Sequence, residues 1–373
     1  MIDSGTSIAV IGLTLAAFAM SPSGSVVAQP SEIQSRDVIP RDVRKMYERG
    51  LQFLAASQSQ DGSWDGGKPG PAMKQGLENA ARVEGSWADG GKQGPGVTAL
   101  ALLAFLASGE DANYGIYSSH IRKALRSLIR AQDAKTGYIG PSMYHHGFAM
   151  LALAEAYGTV DERNLWLAEK APRSIGQALE LAVRTAITSQ KSNPANAWRY
   201  SPDGQDADVS VAGAVIIGLL AARNAGIEVP DQSIDKAIAY LRSMTDTSGD
   251  VSYENLGNRI ATSTARVAIV TLACAVARRK DLAEYKATLG YLKERIQEPI
   301  GPFGEYTLYY EAQALFQGDV VAWEKWNEIL VRRLKEAQQP DGSIRGRFNP
   351  AISTSLSLLS LALNYRLLPV YER

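Results

Sequence analysis

A single cysteine, Cys274, and three histidines among 373 residues leave little material for several common chemistries. One thiol cannot form an intramolecular disulfide, and a Cys/His zinc cluster lacks the ligands to build it. Excess charge is missing as well. Lys+Arg and Asp+Glu both number 39, giving zero formal net charge and no electrostatic footprint for nucleic acid. No segment alternates apolar and polar residues with the period of a strand. The Gly-rich text beyond residue 65 lacks the Gly-Lys-Ser/Thr of a phosphate-binding loop, and no strand precedes it. There is no Asp-Asp-x-x-Asp run to seat magnesium for diphosphate chemistry. No metal and no cofactor are therefore expected. Cys274, inside the apolar run 267–277, reads as a small buried residue rather than a nucleophile.

The N-terminus differs from the remainder. Residues 8–20 are apolar and uncharged, and Ser21-Pro22-Ser23-Gly24-Ser25-Val26-Val27-Ala28 follows. The run is shorter than the roughly 20 residues of a membrane span. It reads as a signal peptide, residues 1–28, cleaved after Ala28, although residues 1–7 carry Asp3 and no basic residue. The alternative is an uncleaved N-terminal anchor, which would then be the chain's membrane contact. The expected location is exported, periplasmic or secreted. Residues 29–40 read as a linker.

From there the chain repeats. Gln58-Ser59-Gln60-Asp61-Gly62-Ser63-Trp64 and Gln338-Gln339-Pro340-Asp341-Gly342-Ser343-Ile344 are nearly one text. Weaker echoes lie at Gln132…Gly137-Tyr138, Gln190…Trp198-Arg199-Tyr200, Gly249-Asp250-Val251-Ser252-Tyr253 and Gln297…Gly304-Glu305-Tyr306. Such a period marks stacked supersecondary units. Before an echo comes an amphipathic helix: Val43, Met46, Tyr47, Leu51 and Leu54 recur at helical spacing, as do Leu179, Ala182, Val183 and Ala186, and Ile234, Ala237, Ile238 and Leu241. After it comes a helix apolar nearly all round: 97–107, 148–156, 211–222, 265–277 and 352–363. Half-exposed helices alternating with buried ones predict an outer and an inner ring, with the aromatic after most turn glycines plugging the gap between hairpins. The fold expected is an all-α toroid of about six helical hairpins over residues 41–368, with a Gly-rich loop inserted at 65–96.

The Gln-x-x-Asp-Gly-Ser-Trp segment, repeated between helices, resembles the repeat of the prenyltransferase and squalene-cyclase family over roughly residues 40–367. The resemblance implies an α/α toroid with six inner and six outer helices. It implies neither a protein prenyltransferase, whose zinc needs Asp, Cys and His, nor a thioester domain, because Cys-Gly-Glu-Gln is absent. Class II terpenoid cyclases of this family protonate an alkene or epoxide with the middle Asp of Asp-x-Asp-Asp. Asp206-Ala207-Asp208-Val209-Ser210 occupies the matching place, with Asp208 as the acid; Val209 replaces the last Asp and Ser210 stands where Thr is usual. Squalene-type members join two toroids, whereas this chain has room for one.

The inner helices start at equivalent turns, so their N-termini should gather around one mouth of the ring. Candidates for catalysis there are Asp208, Asp206, His145 and His146; candidates for ligand contact are Tyr144, Trp198, Ser210, Tyr306, Tyr309, Tyr310 and Glu311. Each has a plain structural alternative. Asp206, Asp208 and Ser210 precede a helix, where they cap it. Two adjacent histidines point about 100° apart, so at most one should face the cavity. The tyrosines pack between helices equally well. Arg278-Arg279-Lys280 and Arg332-Arg333 sit near helix C-termini, where they complement the dipole.

Three functions follow. The first is an exported binding or scaffold protein for an apolar small molecule, such as an isoprenoid, or a protein partner. The second is a divergent class II cyclase with a deep aromatic-walled cavity ending at Asp208. The third is a carbohydrate-active enzyme, which needs two carboxylates roughly 5–10 Å apart across an open cleft, with Asp208 and Glu311 as the pair. When the full chain is expressed in an exporting bacterial host, the intact mass of the recovered protein should correspond to a start at Gln29. A mass retaining residues 1–28 would indicate the anchor instead.

Overall fold

A computed structural model describes residues 39–64, 94–166, 171–253, 263–297 and 304–365. The expected signal peptide, most of the linker and nearly all of the Gly-rich insertion lie outside the described residues. Among the described residues twelve α-helices follow one another: α1 Arg41–Ser57, α2 Pro95–Leu106, α3 Ser118–Ala131, α4 Met143–Ala156, α5 Ile175–Ser192, α6 Val209–Asn224, α7 Asp231–Ser243, α8 Thr264–Val276, α9 Ala283–Glu294, α10 Gly304–Gly318, α11 Val320–Ala337 and α12 Pro350–Leu361. Short 3₁₀ turns at Glu162–Asn164 and Ala362–Asn364 add to them. Only isolated bridges, Gln132 with Ile139, Thr245 with Val251 and Gln338 with Ile344, interrupt the helices among the described residues. None of the described helices is long and apolar enough to cross a membrane.

The even-numbered helices form the inner ring. Each packs on the next, and α12 packs back on α2, which closes the circle. Each odd-numbered helix lies outside, chiefly against the inner helix that precedes it, and α1 lies against α12. Burial follows the two sequence patterns. In α2 every residue is buried, and in α6 only the polar Ser210, Arg223 and Asn224 are not. In α1 only the stripe Val43, Met46, Tyr47, Gly50, Leu51 and Leu54 is buried. Cys274 is fully buried in α8, and burial pushes its thiol up to about 12. The fifth inner helix, α10, is hidden in the sequence by Tyr306, Tyr309, Tyr310 and Glu311, which break the all-apolar text.

The repeated glutamine holds consecutive hairpins together. The Gln58 amide donates from Nε2 to Gly62 O in its own turn (3.0 Å) and to His120 O on α3 (3.0 Å). Gln132 does the same to Gly137 O and Ala178 O on α5 (both 2.8 Å). Gln190 reaches Asn196 O (3.0 Å) and Ser233 O on α7 (2.8 Å). Gln338 reaches Gly342 O (3.1 Å) and Met46 O (2.9 Å), so the last turn is fastened to the first helix. At the fourth turn Thr245 takes this position and bonds its own helix, at Leu241 O. There an ion pair between Arg242 and Glu284 (3.1 Å) links α7 to α9 instead.

The turn glycine is needed for two reasons. Gly342 has φ +93°, and a Cβ on it would lie 2.2 Å from Arg49 O; at Gly62 φ is +89° and the obstacle is Lys123 O, also 2.2 Å away. Two residues after the turn's left-handed position comes the plug. Trp64 and Trp198 are fully buried there, with their indole N–H groups on Leu54 O (2.9 Å) and Ala186 O (2.8 Å). Asn196, at φ 53°, supplies the left-handed position of the third turn. In the second and fourth turns the plug is not the aromatic expected from the sequence. Ile139 and Val251 occupy that register and are buried, while Tyr138 falls one residue early and Tyr253 two residues late.

Replacing Gln338 with Ala should lower unfolding free energy by about 1–3 kcal/mol, because two buried carbonyls lose their donor. Gln60→Ala, at an exposed position of the equivalent first turn, should change it by less than about 0.5 kcal/mol. Urea unfolding of the two variants makes the comparison; equal midpoints would contradict the stapling role.

Candidate functional site

At the N-terminal ends of the inner helices, the same backbone group recurs. The plug residue's N–H meets a side chain one turn into the following inner helix. Trp64 N–H donates to Thr98 Oγ1 (3.2 Å) and Ile344 N–H to Thr354 Oγ1 (2.9 Å). In the second repeat Ile139 N–H donates to His146 Nδ1 (3.1 Å). His146 therefore stands where the first and last repeats use threonine. With Nδ1 accepting, Nε2 carries the proton and donates to Ala182 O on α5 (3.0 Å). Both ring nitrogens are occupied by backbone, and burial pulls the imidazole down to about 4. The neighbouring His145, rotated away, accepts at Nδ1 from Gly96 N–H (3.3 Å) at the start of α2. The two histidines thus tie α4 to opposite neighbours.

Asp208 is the N-cap of α6. Its side chain is fully buried, and Oδ1 accepts from Val211 N–H (2.9 Å). Its Oδ2 faces Arg199 Nε at 3.5 Å. The Arg199 guanidinium also contacts Asp206 Oδ2 (3.1 Å) and lies over the rings of Tyr200 and Tyr253, 5.4 and 5.5 Å from their centroids. The two tyrosine hydroxyls are 3.0 Å apart. Arg266, buried on α8, donates to Val251 O (2.8 Å) and lies 6.0 Å from the Tyr253 ring centroid. Burial, then the negative Asp208, raises the Tyr253 phenol, which stays neutral. Val209, where a third aspartate would complete the acid motif, is buried.

The ring's centre is occupied by aromatic side chains. α4 and α10 are three places apart in the ring of six, hence opposite. Tyr144 and Tyr306 bridge them with centroids 6.0 Å apart, and Phe148 and Tyr309 at 6.1 Å. Tyr310 packs edge-on against both Tyr306 and Tyr309. All five rings are buried. The Tyr306 hydroxyl lies beside Tyr144, Ser210 and Tyr310 without a well-aligned hydrogen bond to any of them. Burial holds Tyr306 and Tyr310 well above the ordinary phenol range.

The structure thus brings Tyr144, Ser210, Tyr306, Tyr309 and Tyr310 together and places Asp208 in a separate cluster with Arg199. It does not bring the other candidates there. Asp206 points outward, 68 % exposed. Trp198 is sealed under its turn. The Glu311 carboxylate accepts from Trp326 Nε1 on the outer helix α11 (3.2 Å), so it faces the outer ring and makes no pair with Asp208. Sequence reading missed Arg199, Tyr200, Tyr253, Arg266 and Glu305. Arg266 had a visible signal, as the one charge in an otherwise apolar inner helix. Glu305 is buried on α10, where its carboxylate accepts from Arg347 N–H (3.0 Å) and Ser353 Oγ–H (3.2 Å). Burial raises it above the usual carboxylate range. Among the described residues no three His, Cys, Asp or Glu side chains form a group that could hold a metal.

No protein-family model and no curated protein matches the chain. Solved structures match its fold. An inactive variant of the α-1,6-mannanase GH76A of Salegentibacter sp. HEL1_6, in complex with α-1,6-mannotriose, superposes with a TM-score of 0.62 at 12% identity, over 87% of this chain and 99% of that one. The type II terpene cyclase MstE from Scytonema superposes with a TM-score of 0.57 at 14% identity, over 88% and 99%. Both are α/α toroids, and at these identities the likeness is one of fold.

His146 gives a pH prediction. Its folded-state value is pulled down from 6.5 to about 4, so below about pH 6.5 the unfolded chain takes up a proton that the folded chain refuses. This part of the stability is complete above pH 6.5 and is lost as pH falls toward 4, by about 3 kcal/mol in all. His146→Thr, which copies the first and last repeats, should flatten the dependence in denaturation series between pH 4 and 7. An unchanged slope would show that His146 is not its source.

Proposed function

We propose that this chain is an exported, non-catalytic toroid that works by binding, as a receptor for a small molecule or a scaffold for a protein partner. The observation that carries the reading is the engagement of the Asp208 carboxylate, which caps α6 through Oδ1 and faces the Arg199 guanidinium through Oδ2. A group that protonates an alkene must be held as the acid, by burial and like charge. Here the side chain is buried, but a backbone N–H bonds one carboxylate oxygen and a guanidinium faces the other, and both interactions favour the charged form over the acid.

The rest of the site supports the same reading. A cyclase needs a deep cavity for its substrate, and in this chain the rings of Tyr144, Phe148, Tyr306 and Tyr309 meet across the centre. A glycosidase needs two carboxylates across a cleft, and Glu311 is turned to Trp326. The histidine that would tune an acid is held by backbone at both nitrogens. The mouth residues are spent on fastening helices, so function is left to surfaces and pockets outside the ring's centre.

Purified protein incubated with squalene, with a geranylgeranyl-bearing substrate and with α-1,6-mannan oligosaccharides should leave all three unchanged. Asp208→Asn should keep part of the cap but lose the ion pair, lowering stability by about 3 kcal/mol. Turnover of any of these substrates that disappears in Asp208→Asn would overturn the reading.

A further inference from the structure

A pocket of about 720 Å³ opens between the third turn and α7, outside the ring's centre. Its polar wall carries Asn196, Arg199, Gln205, Asp206 and Lys236, and its apolar wall includes Met244. We propose that this pocket binds a small organic anion, a molecule of sugar-acid size whose carboxylate or phosphate displaces the Asp206 carboxylate from Arg199 and draws in the Lys236 ammonium, which lines the same pocket. This rests on the binding reading above and names the ligand class that reading leaves open.

Four features carry the proposal. Arg199 is pre-organised: the buried Asp208 faces its Nε at 3.5 Å and the guanidinium lies over two tyrosine rings, so little ordering is left for a ligand to impose. Lys236, half-buried on the pocket wall, makes no ion pair with any described residue. Asp206 is an internal stand-in for the ligand. It contributes a carboxylate at 3.1 Å from Arg199 while remaining 68 % exposed, and an ion pair so exposed is weak enough to be exchanged. Finally, the volume lies in the range of small-molecule sites and far exceeds that of an inorganic anion, so the apolar wall has a carbon body to cover. Planar, bidentate recognition suits Arg199, and the point charge of Lys236 completes the cradle.

Isothermal titration of the full chain at low salt tests this, with glucuronate and glucose 6-phosphate as the carboxylate and phosphate arms and glucose as the neutral control. At least one acid should bind and glucose should not; which acid binds identifies the charged group. Lys236→Gln should weaken that binding about tenfold. Asp206→Asn should strengthen it several-fold by removing the internal competitor, and neither change should move the melting temperature of the unliganded protein. Failure of both acids with the parent chain and with Asp206→Asn, or an affinity indifferent to Lys236→Gln, would overturn the proposal. The turnover assays read the other question independently. Acid binding together with substrate turnover would remove the non-catalytic reading and leave the pocket standing, while absence of both would remove the pocket alone.

Discussion

One carboxamide, used four times, sets the geometry on which everything else rests. A turn glutamine has two N–H groups on one nitrogen. Here one returns to its own turn and the other crosses to the following outer helix. This fixes the step from hairpin to hairpin by hydrogen bonds of definite length rather than by apolar contact, which has no direction. The step repeats until Gln338 reaches Met46 O. Arg49 reinforces the junction, donating to Gln339 O (2.8 Å) and Pro340 O (3.0 Å). Where the glutamine is replaced by Thr245, the charge pair Arg242–Glu284 supplies the link, so the constraint survives a change of chemistry.

The same economy governs the mouth of the ring. Each inner helix begins with backbone groups that need partners, and at the starts of α2, α4, α6 and α12 a polar side chain meets one of the N–H groups there. Thr98, His146 and Thr354 meet a plug residue's N–H, Asp208 meets Val211, and Asn349 caps α12 through Ile352 N–H (2.8 Å). A residue in such a place satisfies the helix first.

Much of this is legible in the sequence, for a physical reason. A helix buried on all sides must be apolar all round, and one on the rim must carry a stripe, so the two rings are spelled in the alternation of patterns. The fifth inner helix, α10, is obscured because its buried face is tyrosine, which is amphipathic and reads equally well as surface or core. The plug register is misread at Tyr138 and Tyr253 because an aromatic near a turn glycine draws attention, while packing is decided by the position two residues on, where Ile139 and Val251 stand. The site is less legible still. Asp208 as helix cap and Asp208 as acid are the same letters, and only Arg199, brought back against it by the turn, separates them. His146 shows its role only when aligned with Thr98 and Thr354 as the third member of a set. Arg199 carries no signal of its own, since its partners come from both sides of the turn and from the next repeat.

The return of α12 onto α2 and of Gln338 onto α1 has a consequence for how the molecule comes apart. An open stack of repeats has terminal units that fray, so it can lose structure from an end and needs polar caps there. This ring has no end. Every hairpin has two neighbours, and loosening any one of them exposes apolar flanks on both sides. Partial unfolding is therefore costly wherever it begins, and the repeats stand or fall as one cooperative unit. By the same logic the number of hairpins is not free to drift by one, since a ring with a unit gained or lost would no longer meet itself.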